Sequence, residues 1–380
     1  MELLNGLGGF GGSFLFYALP FLFVLTVVVF FHELGHFMVA RWCGVKIEAF
    51  SVGFGPELWG FTDRHGTRWK LSVIPLGGYV RFFGDENVAS APDSEAVAGM
   101  AEDDRRASFH GKGLGARAAI VAAGPIANFI LAVVIFTVIF TTIGRFVSPA
   151  EVETVVPDSA AAEAGFQPGD VITAIDGRAI GSFSEMQRIV STNPEVELTF
   201  RVDRGGEEVV LAATPELQEI SDPFGSTQRI GRLGIQGVVG GSATMKRYDP
   251  FTAFVMGLGE TWFVVERTGA YLAGVVTGTQ AADQLGGPIR IAQVSGEVAQ
   301  LGFAALLNLT AVLSISIGLL NLLPIPMLDG GHLLFYAVEA VRGRPLSARA
   351  MEIGFRVGLA FVLMLMIFAT WNDIRHLANL

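Results

Sequence analysis

Charge is scarce in this chain: Asp, Glu, Lys and Arg make up 16% of its 380 residues, against about 25% in an average soluble domain. Cysteine is scarcer still. The single Cys43 excludes a disulfide within the chain and leaves the redox compartment unreadable. Positive charge is in deficit, with 26 Lys and Arg against 36 Asp and Glu and a net charge of −10. That argues against a nucleic-acid partner, which selects a basic face. What replaces the charge is apolar: 51% of residues are hydrophobic, Phe alone occurs 30 times, and mean hydropathy is +0.50. Collagen, a coiled coil, a disulfide scaffold and long disorder are excluded. The composition fits a polytopic α-helical membrane protein with a water-soluble portion.

Uncharged runs locate the spans. They cover residues 3–31, 118–144, 298–328 and 357–372, the last being short and borrowing its flanks, so four transmembrane helices are predicted. No Lys or Arg precedes the first run, which is also too long for the apolar region of a signal peptide. The first basic residues, Arg41 and Lys46, follow it, and residues 41–117 hold 10 Lys and Arg. The positive-inside tendency then places both termini outside, with residues 41–117 and 329–356 in the cytoplasm. In residues 249–282, Asp249, Glu260, Glu266 and Arg267 interrupt the apolar pattern. Phe251, Phe254, Val255, Leu258, Trp262 and Val265 recur at helical spacing. An amphipathic helix on the outer surface is expected there, with a fifth span as the alternative.

At the inner end of the first run stands His32-Glu33-Leu34-Gly35-His36. Positions i and i+4 share a helix face, so both imidazoles can reach one zinc ion. The intervening Glu33 can act as general base toward a water. Ionisable groups inside a span are functional candidates by default; the bland alternative, polar residues marking a helix end, leaves three polar positions unexplained. A catalytic zinc needs a third protein ligand and an open position. Cys43 is about 10 Å further along the helix axis, too far. Glu48, Glu57, His110 and His332 are open alternatives. Asp329 is the better candidate. It ends the longest charge-free run, after Pro324 and Pro326 break regular helix and before Gly330 and Gly331. Irregular backbone at membrane depth is tolerated where it is buried or lines a cavity. With four spans, His36 and Asp329 fall on the same, cytoplasmic side; with five they would not.

These residues carry a resemblance. The chain is similar to the site-2 proteases, intramembrane zinc metalloproteases, and most to the bacterial group that regulates sigma-E. The family's HExxH falls on His32, Glu33 and His36, and its LDG motif on Leu328, Asp329 and Gly330. The likeness continues in Phe50-Ser-Val-Gly-Phe-Gly55, Ile74-Pro-Leu-Gly-Gly-Tyr-Val80 and Gly124-Pro-Ile-Ala-Asn128. It implies Asp329 as third ligand of one Zn²⁺ and a bacterial inner-membrane location. It also implies a membrane-associated β-hairpin beside the active site, with substrate contacts at Gly77, Gly78 and Asn128. Asn321 is expected to hydrogen-bond the substrate backbone or an oxyanion, or else to cap the broken helix. The implied substrates are single-span proteins in the lipid bilayer, an anti-sigma factor or remnant signal peptides. They would already have been trimmed outside by an upstream site-1 protease. Well-known members carry two tandem PDZ domains; this chain has room for one.

Residues 148–240 are richer in charge and turns. The stretch from Ala160 to Gly177 resembles the core of a bacterial PDZ domain, periplasmic on this topology, and Leu233-Gly234-Ile235 its carboxylate-binding loop. A PDZ acting only as a steric filter is the alternative. Residues 67–83 alternate as a hairpin with its turn near residues 75–78. Residues 85–107, rich in Ala, Ser and acid, are expected to be a flexible loop. Two rival functions remain open: a membrane zinc protease with a glutamate ligand and cytosolic catalytic domain, and a non-enzymatic scaffold or transporter with a structural metal.

Overall fold

The structure, a computed structural model, describes residues 2–84, 101–221, 227–237, 244–278, 280 and 286–378. The chain falls into two compact units. One takes in the described residues of Met1–Thr137, Phe254–Thr277 and Leu285–Asn379, the other chiefly Val138–Ala253.

The first unit is built on helices α1 (Glu2–Trp42), α2 (Glu102–Ala107) and α3 (Leu114–Thr142). Between α1 and α2 lie strands β1 (Ile47–Thr62) and β2 (Arg68–Phe82). Among the described residues, four helical segments are long and apolar enough to cross a membrane: Leu15–Trp42, Leu114–Thr142, Phe303–Asn321 and Arg349–Arg375. These match the four uncharged runs. α1 and α3 cross closely at Gly35, where an added Cβ would overlap Ala123 O. Small residues at such crossings let helix backbones approach in lipid.

β1 and β2 pair antiparallel, but not as the sequence pattern suggests. Glu57–Thr62 pair with residues 68–72 around a turn that the Asp63 carboxylate fixes by accepting the His65 and Thr67 N–H groups at 2.8 and 3.0 Å. Ala49–Val52 have partners on both edges, Arg68–Leu71 on one and Gly78–Arg81 on the other. The expected arms on either side of Pro75 therefore do not pair with each other; a stretch of β1 lies between them. Local alternation could not reveal an inserted partner 20 residues upstream. Phe54, Leu58, Trp59, Phe61, Leu71, Val73 and Ile74 are exposed apolar side chains of this sheet. Of the expected flexible loop, residues 85–100 lie outside the described residues, and Glu102–Ala107 is a short helix tied to Lys46, whose N–H donates to Ala107 O at 2.9 Å.

In the second unit, strands β3 (Arg145–Val147) and β4 (Val152–Val155) and helix α4 (Ala160–Glu163) precede β5 (Val171–Ile175), β6 (Arg178–Ala179) and helix α5 (Phe183–Thr192). Then come β7 (Leu198–Arg204), β8 (Glu207–Ala213), β9 (Glu216–Ser221), β10 (Thr227–Arg232), β11 (Ile235–Gly237) and β12 (Thr244–Lys246). A four-stranded sheet runs β6-β5-β7-β8. Leu198, Phe200 and Val202 of β7 alternate inward with outward Thr199, Arg201 and Asp203, the period-two pattern of a sheet with one buried face. They join Val152, Ile172 and Ile175 in the core.

The chain returns to the first unit through α6 (Pro250–Thr277), followed by α7 (Pro288–Gln300), α8 (Phe303–Asn321), α9 (Asp329–Arg342) and α10 (Ala348–Ala378). α6 is not among the four candidate spans; Glu260, Glu266 and Arg267 interrupt its apolar face, while Phe251, Phe254, Val255, Leu258 and Trp262 are exposed. The predicted third segment, residues 298–331, is divided: α8 stops at Asn321 and α9 starts at Asp329. Between them Met327 has φ +87°, the left-handed region that side chains with a Cβ avoid. Asp373, buried near the end of α10, accepts the N–H groups of Gly287, Ile289 and Arg290 at 2.8–3.1 Å and so caps the start of α7.

Candidate metal centre

His32 and His36 share one face of α1, and the α8–α9 break delivers Asp329 to the same point. His32 Nε2 lies 3.2 Å from Asp329 Oδ2, His36 Nε2 lies 3.5 Å from Asp329 Oδ1, and the two Nε2 atoms are 3.2 Å apart. Ligands about 2.1 Å from a tetrahedral zinc stand about 3.4 Å from one another, which is the spacing seen. Among the described residues, this is the one group of three His, Cys, Asp or Glu side chains so arranged. Asp329 Oδ2 is buried and accepts no hydrogen bond. Such an orphaned oxygen beside two ring nitrogens is unfavourable unless a cation completes it. The trio is 12–16% exposed, so a fourth position can be reached. The residues fit zinc.

The supports of the trio come from α3. His36 Nδ1–H donates to Ile120 O at 2.8 Å, which leaves the Nε2 lone pair for a metal. Asn128 is fully buried and its amide lies 3.3 Å from His32 Nδ1. With Asn128 Oδ1 turned toward the ring, His32 Nδ1–H has an acceptor, the otherwise unpartnered Oδ1 is satisfied, and Nε2 is free in the same way. Ser314 Oγ donates to the Asn128 backbone carbonyl at 2.9 Å and holds α3 to α8 there. Gly124 is the floor: a Cβ on it would overlap the His36 ring and press on His32.

Glu33 lies between the two histidines on α1, and the Val80 N–H is directed at its carboxylate. Gly78 packs directly on it, since a Cβ at Gly78 would stand 3.2 Å from Glu33 Cγ. Gly77 faces the Phe54 ring instead. Asn321 is the last residue of α8, partly exposed. Of the alternatives for the third ligand, Glu48 pairs with Arg81 at 3.0 Å and Glu57 pairs with Arg68; His332 packs on Phe355 and His110 on Phe109, and neither joins the group formed by His32, His36 and Asp329. Cys43 continues the α1 backbone beyond the site through its N–H to Val39 O. Leu233-Gly234-Ile235 joins β10 to β11 in the second unit. Its Leu233 and Gly234 carbonyls accept the Ala161 and Val156 N–H groups at 2.8 Å, and Ile235 pairs with Val155.

The sequence pattern did not expose Ile120, whose carbonyl has no residue-type signature. It marked Gly124 only as part of a shared motif, and Asn128 as a substrate contact, whereas Asn128 is buried with its amide against His32.

The model of peptidase family M50 matches residues 20–365. A Rhizobium meliloti protein named as a zinc metalloprotease is 52% identical over 363 residues, 95% of this chain and 97% of that one. Metalloprotease MmpA of Caulobacter vibrioides is 43% identical over 96% of each chain. The Escherichia coli regulator of sigma-E protease RseP is 31% identical over 96% of this chain and all of that one. That alignment runs to 464 positions against the 380 residues here, so RseP carries segments without a counterpart. A PDZ domain of a Listeria monocytogenes SdrC-like protein aligns with 24% of this chain and 88% of its own, at 23% identity and a TM-score of 0.20.

Proposed function

We propose, from the premise that this chain belongs to peptidase family M50 and is a zinc metalloprotease, that it cuts single-span membrane proteins within the bilayer. The observation that carries this reading is the placement of His32, Glu33 and His36 inside the candidate span Leu15–Trp42. His32, His36 and Asp329 would hold the zinc, which would supply Lewis acidity toward the scissile carbonyl. Glu33 takes a proton from the attacking water and passes it to the leaving amine. Asn128 and the Ile120 carbonyl position the two imidazoles. Asn321, at the open end of α8, donates to the substrate backbone. The β1–β2 sheet, with Gly78 against Glu33, offers an edge that holds substrate extended. A helical substrate hides its carbonyls in its own hydrogen bonds, so unwinding must precede cleavage.

The chain sits in a bacterial inner membrane with its termini outside and the metal near the cytoplasmic face, α6 lying on the outer surface. The second unit is a single periplasmic PDZ domain that excludes untrimmed substrates or receives a peptide C-terminus at Leu233-Gly234-Ile235. Its substrates, by likeness to the protein named as a regulator of sigma-E protease, are an anti-sigma factor or remnant signal peptides, already cut outside by a site-1 protease.

The test is cleavage of a short single-span reporter by detergent-purified protein, wild type beside Glu33→Gln, with zinc content measured on both. Cleavage by wild type alone, stopped by a chelator, is expected. Equal behaviour of the two zinc-loaded proteins would remove Glu33 as the base and return the scaffold or transporter reading.

A further inference from the structure

A cavity of about 260 Å³ opens where α1 ends, lined by Arg41, Gly44, Lys46, Ile47, His65 and Thr67 among others. Its charge is one-sided. Arg41 is neutralised by Asp63 at 3.0 Å, whose carboxylate is held down to about pKa 2. Burial raises that value, and hydrogen bonds from Thr67, His65, Trp69 and Arg41 together outweigh it. Glu48, the nearest acid in sequence, is paired with Arg81. Lys46 is left with its ammonium 4.6 Å over the Phe83 ring. Lys112 arrives from the segment before α3, its Nζ 3.5 Å from where a Cβ on Gly44 would stand. Among the described residues neither lysine has a carboxylate within 4.0 Å. The helix end does not oppose an anion either: Gly44 N–H and Val45 N–H already occupy the Arg41 and Ala40 carbonyls at 3.0 and 2.9 Å.

The depth of the cavity identifies its ligand. The candidate span runs to Trp42, which is 74% exposed, and an exposed Trp at the end of a span sits at headgroup level. A basic cavity at that level, here between the end of α1, the start of β1 and the Asp63–Thr67 turn, is placed to take a phosphorylated headgroup. We propose that the cavity binds the phosphate of an anionic phospholipid, with Lys46 and Lys112 as its charge partners and Arg41 and His65 as donors at the rim. Occupancy would tie together three segments that meet there: the end of α1, the Asp63–Thr67 turn and the lead into α3. Those segments carry His36, the sheet that packs on Glu33, and Gly124. The site is independent of the peptidase reading.

The experiment is a melting series on the full, zinc-loaded chain in non-ionic detergent with added phosphatidylglycerol, phosphatidylcholine or inorganic phosphate, with native mass spectrometry to count retained lipid. Phosphatidylglycerol is expected to raise the wild-type melting temperature by about 3 °C over phosphatidylcholine, with one lipid retained. The Lys46→Gln, Lys112→Gln double variant should lose most of that shift while melting as wild type in phosphatidylcholine. An equal response to both lipids, or an undiminished shift in the double variant, overturns the proposal. Inorganic phosphate reproducing the whole shift makes it an anion site and overturns the lipid assignment. Should the double variant lose its zinc or fold, Lys112→Gln alone decides: about half the shift supports the site, the full shift overturns it.

Discussion

Asp329 and Asp170 are both acids withdrawn from water, one in each unit, and they are treated in opposite ways. Asp170, whose side chain is fully buried, is saturated. Arg204 donates to it twice at 2.7 Å, and the Gln167 N–H donates at 2.9 Å. The Arg204 hydrogen bonds hold its carboxyl below the usual range. Asp329 has two ring nitrogens at 3.2 and 3.5 Å and an oxygen that accepts nothing. A saturated buried carboxylate stabilises a fold and has no capacity left for chemistry. An unsaturated one holds a place for a cation. The same residue type becomes a strut or a ligand according to how many donors its surroundings supply.

Breaking the two acids separately should give non-overlapping losses. Asp329→Ala should abolish zinc retention and lower activity by at least about 10³-fold, with the second unit's unfolding transition unmoved; metal analysis and calorimetry on one sample read both. Gly124→Ala drives a methyl into the His36 ring and should weaken zinc binding about 10²-fold, read by competition with a chelator. Asp170→Asn should leave zinc and the active site alone but destabilise the second unit by about 2 kcal/mol, less than the roughly 3–5 kcal/mol of a fully buried pair because Arg204 is partly exposed. A zinc loss in Asp170→Asn, or an unfolding shift without zinc loss in Asp329→Ala, would erase the contrast.

Two smaller effects sharpen it. Asn128→Leu removes the partner of His32 Nδ1 and should cost about 10-fold in zinc affinity. Asn128→Asp, which keeps an acceptor, should restore most of it; if both variants lose equally, Asn128 only packs. Asp63 gives the pH counterpart outside the spans. Its folded pKa is lowered from 3.8 to about 2, so on acidification the unfolded chain binds the proton first. Its contribution is complete above about pH 4 and lost as pH falls to about 2. Trp69, whose Nε1 donates to Asp63 at 3.3 Å, provides a fluorescence readout, and Asp63→Asn should flatten that transition.

The site was legible to the extent that its chemistry is local. His32, Glu33 and His36 lie within one helical turn and need only a helix to share a face. Asp329 was visible because a carboxylate closing a long apolar run is costly without a purpose. The sheet was less legible: its two halves are separated in space by Ala49–Val52, and alternation within 67–83 carries no record of that.

By itself the sequence determined the four apolar segments, the helix face that His32 and His36 share and the aspartate that the fold brings beside them. These rest on residue spacing and on the free energy of moving side chains out of water, both properties of a stretch of chain. The tertiary structure decided which carbonyl orients His36, that Asn128 stands behind His32 and that Gly124 leaves room for both rings. It also decided that Asp373 caps a helix more than 80 residues away and that Lys112 comes beside Gly44 at the end of the first helix. Each of these is a contact between distant segments, made or lost over a few tenths of an ångström. Such contacts exist only after the packing of the helices has fixed which backbones may touch.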